Sequence, residues 1–307
     1  MTKGRSLSLL VSSVSAQGRA LDVGHRVADT LRGGGWQVEV VVTTWVDDVA
    51  QVSSEAGGDY LGVVGGDGYI ANALSKRTFE EPPAIPFPSG RGNDLCRSLG
   101  VGTDPHRIAK ALADADSKTV HRWVRSLDVM KVGDEDGVTK AVGVLSLGID
   151  AAATRIANES SMPFGSLSYA WGAVSGFFGR FKPSPIEAYV DGEFQDIGGW
   201  LTSVSNTGWF GGGINISPTS RTDDGLLGVL SVPDLPRLRV LPVLANALLA
   251  RGTSDPLIRL EQARRVEFLS PKGMPAYADG DVIGHLPLVV SVDPSALRLV
   301  APPMKAA

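Results

Sequence analysis

Two short glycine-rich stretches hold the residues best suited to chemistry. Gly65-Gly66-Asp67-Gly68 follows the apolar run Tyr60–Val64, and Gly90-Arg91-Gly92-Asn93-Asp94 follows Ala84–Phe87. Glycine between a strand and a helix lets backbone N–H groups approach a phosphate, and the helix N-terminus adds positive potential. The spacing excludes several alternatives. There is no G-x-x-x-x-G-K-[ST], no complete G-x-G-x-x-G in these loops and no G-x-S-x-G nucleophile elbow. His25, His106, His121 and His285 have no ligand spacing, and Cys96 stands alone, so neither a histidine metal site nor a disulfide is expected. One glycine loop is most simply an ordinary βα turn. Two on successive βα units favour nucleotide phosphates.

Several elements must position these loops. Leu7–Val14, Gln37–Thr43, Tyr60–Val64 and Ala84–Phe87 read as strands; Ala20–Leu31, Asp47–Ala56 and a stretch from Ile70 read as helices. Strands alternating with helices predict a parallel α/β sheet, whose ligands bind outside the carboxyl ends of the strands. After about Arg122 the pattern changes. Arg125–Val132, Ala141–Leu147, Ile186–Asp191, Trp200–Ser205, Leu226–Val232, Arg264–Leu269 and Leu286–Val292 are short β-type runs, most of them separated by turn residues, as in an antiparallel sandwich. Helices are expected at about Gly148–Asn158, Ser166–Phe181 and Leu235–Leu249. The expected domains are 1–125 with a tail from about 293 to 307, and 126–292.

The 307 residues are 43% hydrophobic and 20% charged, enough for substantial cores. A net charge of −4 argues against nucleic acid, which needs a clustered basic surface. Met1–Leu10 carries no secretory signal pattern, and the uncharged stretches Ser160–Gly179 and Ile197–Ser220 are too diluted by serine and glycine to span a bilayer. A soluble cytoplasmic protein is expected. The 37 glycines are in excess of ordinary usage and lack a collagen period.

The motifs resemble those of a known family. Val63-Val64-Gly65-Gly66-Asp67-Gly68 and Pro88-Ser89-Gly90-Arg91-Gly92-Asn93-Asp94 are similar to the GGDGT and P-x-G-T-x-N-D elements of the diacylglycerol kinase and sphingosine kinase superfamily. Gly148-Ile149-Asp150-Ala151, Ser205-Asn206, Gly211-Gly212-Gly213, Asp223-Asp224-Gly225-Leu226-Leu227 and Ala278-Asp279-Gly280-Asp281 resemble its later elements in order, over nearly the whole chain. The nearest resemblance is to the soluble bacterial lipid kinases. It implies an N-terminal α/β domain similar to NAD kinases and 6-phosphofructokinases, a C-terminal antiparallel β-sandwich, and an ATP site between them. It implies transfer of the γ-phosphoryl of ATP to a lipid hydroxyl such as that of diacylglycerol. Carried over residue by residue, Gly65, Gly66 and Gly68 would cradle phosphates and Asp67 would help hold Mg²⁺–ATP. Thr44, Tyr69, Gly90, Arg91, Asn93 and Asp94 would line the nucleotide site. Asp279 and Asp281 would share general-base and metal work. Asp224, with backbone carbonyls near Arg221 and Leu226, would hold a structural Mg²⁺, since oxygen ligands suit a hard cation. The implied partner is a lipid with a free hydroxyl, with peripheral membrane contact through an apolar flap carrying Trp171, Phe177, Phe178 and Phe181; a core-packing helix explains that stretch equally well. A homodimer stays open.

The chain departs from the family pattern at several places. Ser12-Ser13-Val14-Ser15-Ala16 replaces an N-P-x-S-G loop, Tyr69 replaces the threonine of GGDGT, Ala71-Asn72 replaces Asn-Glu, Arg91 replaces the threonine of G-T-x-N-D, and Asp281 replaces the glutamate of DGE. Three readings follow: a working lipid kinase with an altered nucleotide site, a kinase-like binder without efficient transfer, or an NAD kinase. Asp191-Gly192-Glu193 is a literal DGE, but it follows a strand, and Asp-Gly favours a type I′ hairpin turn.

Overall fold

The computed structural model describes residues 5–44, 47–133, 137–148, 182–210, 212–236, 238–240, 242–243 and 257–304. The chain divides into two compact units, one of Met1–Leu127 with Ser295–Ala307 and the other of Asp128–Pro294. The flap stretch and the helices expected at Gly148–Asn158 and Ser166–Phe181 lie outside the described residues, apart from Gly148 itself.

The first unit is an α/β layer structure. Strands β1 (Ser6–Ser12), β2 (Gln37–Thr43), β3 (Tyr60–Gly65) and β4 (Ala84–Pro88) run parallel in the order β2-β1-β3-β4. β1 and β3 are buried along nearly their whole lengths, as strands covered on both faces are, and the buried Ser8 of β1 donates its hydroxyl to Gly57 O. β4 carries Pro86 and Pro88, which cannot donate to a ladder. Its N–H groups toward β3 come from the alternate residues, with Ser89 N donating to Gly65 O at 2.8 Å. The far side pairs only at Ala84, with Leu299. The helices are α1 (Arg19–Gly33), α2 (Val49–Glu55), α3 (Asp67–Ser75), α4 (Asp94–Ser98), α5 (Pro105–Asp114) and α6 (Ser117–Arg122). The last two are capped by Asp104 and Asp116, whose carboxylates accept first-turn N–H groups.

The second unit is an antiparallel β-sandwich. One sheet contains β5 (Val124–Gly133), β6 (Val138–Ala141), β8 (Glu187–Val190), β9 (Glu193–Asp196), β15 (Arg265–Phe268) and β18 (Leu288–Val300). The other has the order β14-β13-β10-β7-β16-β17, formed by β7 (Val144–Gly148), β10 (Leu201–Ser205), β13 (Leu227–Val232), β14 (Arg259–Ala263), β16 (Pro275–Ala278) and β17 (Asp281–His285). A two-residue ribbon joins β11 (Trp209–Phe210) to β12 (Ile214–Asn215). Leu145, Leu147, Val204, Val229 and Ala278 from one sheet pack with Met130, Ala188, Val266, Phe268 and Val290 from the other to make the core.

The single strand expected over Ala141–Leu147 is two strands, broken at Val142-Gly143. The physical reason is a side chain: both N–H groups at the break donate to the Asp279 carboxylate rather than to a ladder.

Candidate active site

In the first unit the two glycine loops are locked together at the carboxyl edge of the sheet. Asp67 opens α3, and its carboxylate accepts Asn93 N on one oxygen and Asp94 N on the other, both at 2.6 Å. Asn93 sits in the left-handed region (φ 56°), which asparagine tolerates, and its Oδ1 accepts Gly90 N at 3.1 Å while its Nδ2 donates to Gly90 O. Gly66 and Gly90 meet backbone to backbone: a Cβ on Gly90 would stand 2.7 Å from the Gly66 Cα. Glycine at 90 is thus required by the contact between the loops. Burial pushes the Asp67 carboxyl above the ordinary range, and the backbone N–H groups of Asn93, Asp94 and Leu95 oppose that shift.

The remaining residues expected at the nucleotide site are placed as follows. Gly68 is exposed in the first turn of α3. Tyr69 lies one position further, its ring against Gly65 and its hydroxyl sharing a 2.7 Å hydrogen bond with Thr43 Oγ1. Thr44 turns the chain after β2, its N–H and hydroxyl both donating to Asp47, which lowers the Asp47 pKa. Arg91 is exposed between Gly90 and Gly92, and Asp94 is half-buried at the start of α4. The β1–α1 loop that departs from N-P-x-S-G bends through three successive left-handed residues, Ala16 (φ 53°), Gln17 (φ 60°) and Gly18 (φ 87°).

In the second unit Asp279-Gly280 is the turn of the β16–β17 hairpin, with φ of 52° and 101°, and Asp281 is exposed at the start of β17. The Asp279 oxygens accept Val142 N at 2.8 Å and Gly143 N at 2.9 Å. Asp191-Gly192 makes a hairpin of the same kind (φ 47° and 88°), its carboxylate accepting Arg264 N and Arg265 N. Arg221, Asp224 and Leu226 share one turn, where Asp224 Oδ1 accepts Leu226 N at 3.0 Å. That turn and the Asp279 hairpin are linked through two buried residues. Asn206, wholly buried, donates from its N to Gly143 O and from Nδ2 to the carbonyls of Val142 and Asp128. Asp128, 1% exposed, accepts Gly225 N at 2.7 Å, and its own N–H donates to Thr222 O. Sequence reasoning passed over Asp128, although a lone carboxylate in the otherwise apolar stretch Leu127–Met130 was a readable signal. No cluster of three or more histidine, cysteine, aspartate or glutamate side chains suited to a metal occurs among the described residues.

Comparison with known proteins fits this arrangement. The diacylglycerol kinase catalytic-domain family matches residues 6–124, and the YegS C-terminal NAD kinase β-sandwich-like domain matches residues 143–301, just over half of the chain. The chain belongs to the diacylglycerol kinase superfamily, on its YegS-like branch. A protein of Mycobacterium tuberculosis named diacylglycerol kinase is 28% identical over 301 residues, covering 96% of this chain and 95% of that one. A Chromohalobacter salexigens protein named "Probable lipid kinase YegS-like" is 28% identical over 300 residues, covering 94% and 88%. A solved diacylglycerol kinase structure from Bacillus anthracis aligns over 99% of both chains with a TM-score of 0.76 at 19% identity, a likeness of fold. The family is one of lipid kinases, and the α/β domain followed by a sandwich is its architecture. No helix among the described residues is long and apolar enough to cross a membrane.

Proposed function

We propose that this diacylglycerol kinase superfamily member transfers the γ-phosphoryl group of ATP to the hydroxyl of diacylglycerol or a related neutral lipid, acting in the cytoplasm and at the membrane surface. The observation that carries this reading is the Asp67 clamp, which fixes two glycine loops against each other at the ligand-binding edge of a parallel sheet. Phosphoryl transfer asks mainly for positioning and charge neutralisation, and rigid loops supply the first.

The residues present fit a nucleotide phosphate. α3 is nine residues long and no side chain caps its N-terminus, so its first N–H groups are available to an anion. They fit a hard cation as well. The Asp224 carboxylate, one oxygen of which accepts Leu226 N, would with the carbonyls of Arg221 and Leu226 supply an oxygen-only set. Mg²⁺, when bound, supplies charge neutralisation on the phosphates. In this reading Asp281 accepts the proton of the lipid hydroxyl, and Asp279 sets the hairpin that presents it.

One observation favours a second reading, binding without transfer: the Tyr69 ring lies over Gly65, where the family's smaller threonine leaves more room. The test is phosphate transfer from labelled ATP and Mg²⁺ onto a panel of diacylglycerol, monoacylglycerol, a sphingoid base, a polyprenol and NAD, with Asp67→Asn as the blank. Labelled lipid supports the proposal. ATP binding with no lipid product overturns it in favour of the second reading, and labelled NAD product would make the chain an NAD kinase.

A further inference from the structure

The strand order β2-β1-β3-β4 changes direction between β1 and β3, and an open parallel sheet leaves its ligand crevice outside the carboxyl ends at that point. Three residues form the last row of the sheet there. Ser12 of β1 pairs with Thr43 of β2, and Val11 with Val64 of β3, so Gly65 stands level with Ser12 on the other side. Tyr69 starts from α3, beyond β3. Its ring rests on Gly65 so closely that a Cβ there would stand 2.3 Å from Cδ1. Its hydroxyl nevertheless reaches Thr43 Oγ1, two strands away, at 2.7 Å. The side chain therefore crosses the carboxyl end of β1 at the switch point. Thr43 is 2% exposed and burial raises the Tyr69 phenol pKa, so both hydroxyls stay neutral and joined across the working pH range.

We infer that Tyr69 and Thr43 form a brace across the switch point that sets the shape of the nucleotide crevice, making both positioning residues for ATP binding. The inference rests on the nucleotide reading above. Ser13 N donates to Thr43 O at 2.9 Å, so the brace also fixes where the β1–α1 loop leaves the sheet. Gly65 serves the brace, because any side chain there would displace the ring.

The experiment is a double-mutant cycle on ATP affinity in the full chain, measured by calorimetry for wild type, Tyr69→Phe, Thr43→Val and the pair, with Thr43→Ser as the conservative control. Loss of one hydrogen bond predicts about a fivefold weaker Kd in each single variant. The double variant should be no weaker than either single one, and Thr43→Ser should bind like wild type. Unchanged Kd in both single variants, even with a lowered melting temperature, reduces the contact to a structural one and overturns the brace. Losses that multiply in the double variant overturn it too. No ATP binding by the wild type sinks the nucleotide reading itself, an outcome distinct from either.

Discussion

Gly90→Ala tests whether the two glycine loops form one packed unit. The added Cβ would lie 2.7 Å from the Gly66 Cα and 3.3 Å from Asn93 Oδ1. Carbon atoms at rest stand roughly 3.5–4.0 Å apart, so the loops must separate by about 1 Å. A movement of that size along the Asp67 bonds, which are 2.6 Å now, would carry them out of hydrogen-bonding range. Overpacking of this kind costs about 1–3 kcal/mol, which lowers the melting temperature by roughly 2–12 °C in a chain of this size. The comparison variant is Gly57→Ala, where an added Cβ meets nothing within 4 Å and the backbone is not left-handed. Removing unfolded-state freedom there should leave stability unchanged or raise it by up to about 1 kcal/mol. Calorimetry or circular dichroism on the two variants side by side gives the answer. Equal melting temperatures for Gly90→Ala and Gly57→Ala would refute the claim that the loops are in contact.

Two further outcomes follow from buried groups. Burial raises the folded-state pKa of Asp67 above its unfolded value, so the folded state holds the proton more tightly. Its contribution to stability is then greatest below the ordinary carboxylate pKa of about 4, falls as pH rises toward the folded-state value, and is level above that. Melting curves of wild type and Asp67→Asn against pH should show the wild type losing ground to the variant across that window, and parallel curves would contradict it. Cys96 is fully buried and burial drives its thiol pKa far upward, so it should resist a thiol reagent in the native protein and react only on unfolding. Rapid stoichiometric labelling without denaturant would show the helix after Asn93 to be open.

Much of the fold was legible because its signals are local. Apolar runs ending in glycine marked β3 and the turn into α3, and short β-type runs between turn residues marked β10 and β13. β14, β16 and β17 escaped because their residues carry little β pattern: Pro275–Ala278 holds a proline and two alanines, and Asp281–His285 a glycine. They are strands because their neighbours β13 and β7 offer ladders to complete, a tertiary cause. The break in Ala141–Leu147 has the same origin, since the Asp279 carboxylate that makes it comes from 136 residues further on. In the site, the motifs named the loops, while partners such as Asp128 and the Thr43–Tyr69 bond depend on register between strands, which no motif encodes.

The aspartates of the motifs are not equally informative about catalysis. Asp67, Asp191 and Asp279 each grip two successive backbone N–H groups from a distant part of the chain. Asp191 does so at a hairpin to which no chemistry is assigned, so the grip is a folding device, and folding alone suffices to retain Asp67 and Asp279. Asp281 is different. It is exposed, and among the described residues no hydrogen bond or ion pair occupies its carboxylate. It is free for proton transfer and has no evident part in stability. Asp281→Asn should therefore melt with the wild type, within the roughly 0.5 kcal/mol usual for a surface substitution. Its lipid phosphorylation should fall by about 100-fold or more, the contribution of a general base. Asp279→Asn places an amide hydrogen against Val142 N or Gly143 N, and should lower both stability and transfer. Stability and turnover thus separate at 281 and travel together at 279. Full transfer by Asp281→Asn would remove the acid–base chemistry from this hairpin, and a lowered melting temperature for that variant would show its side chain to be part of the fold.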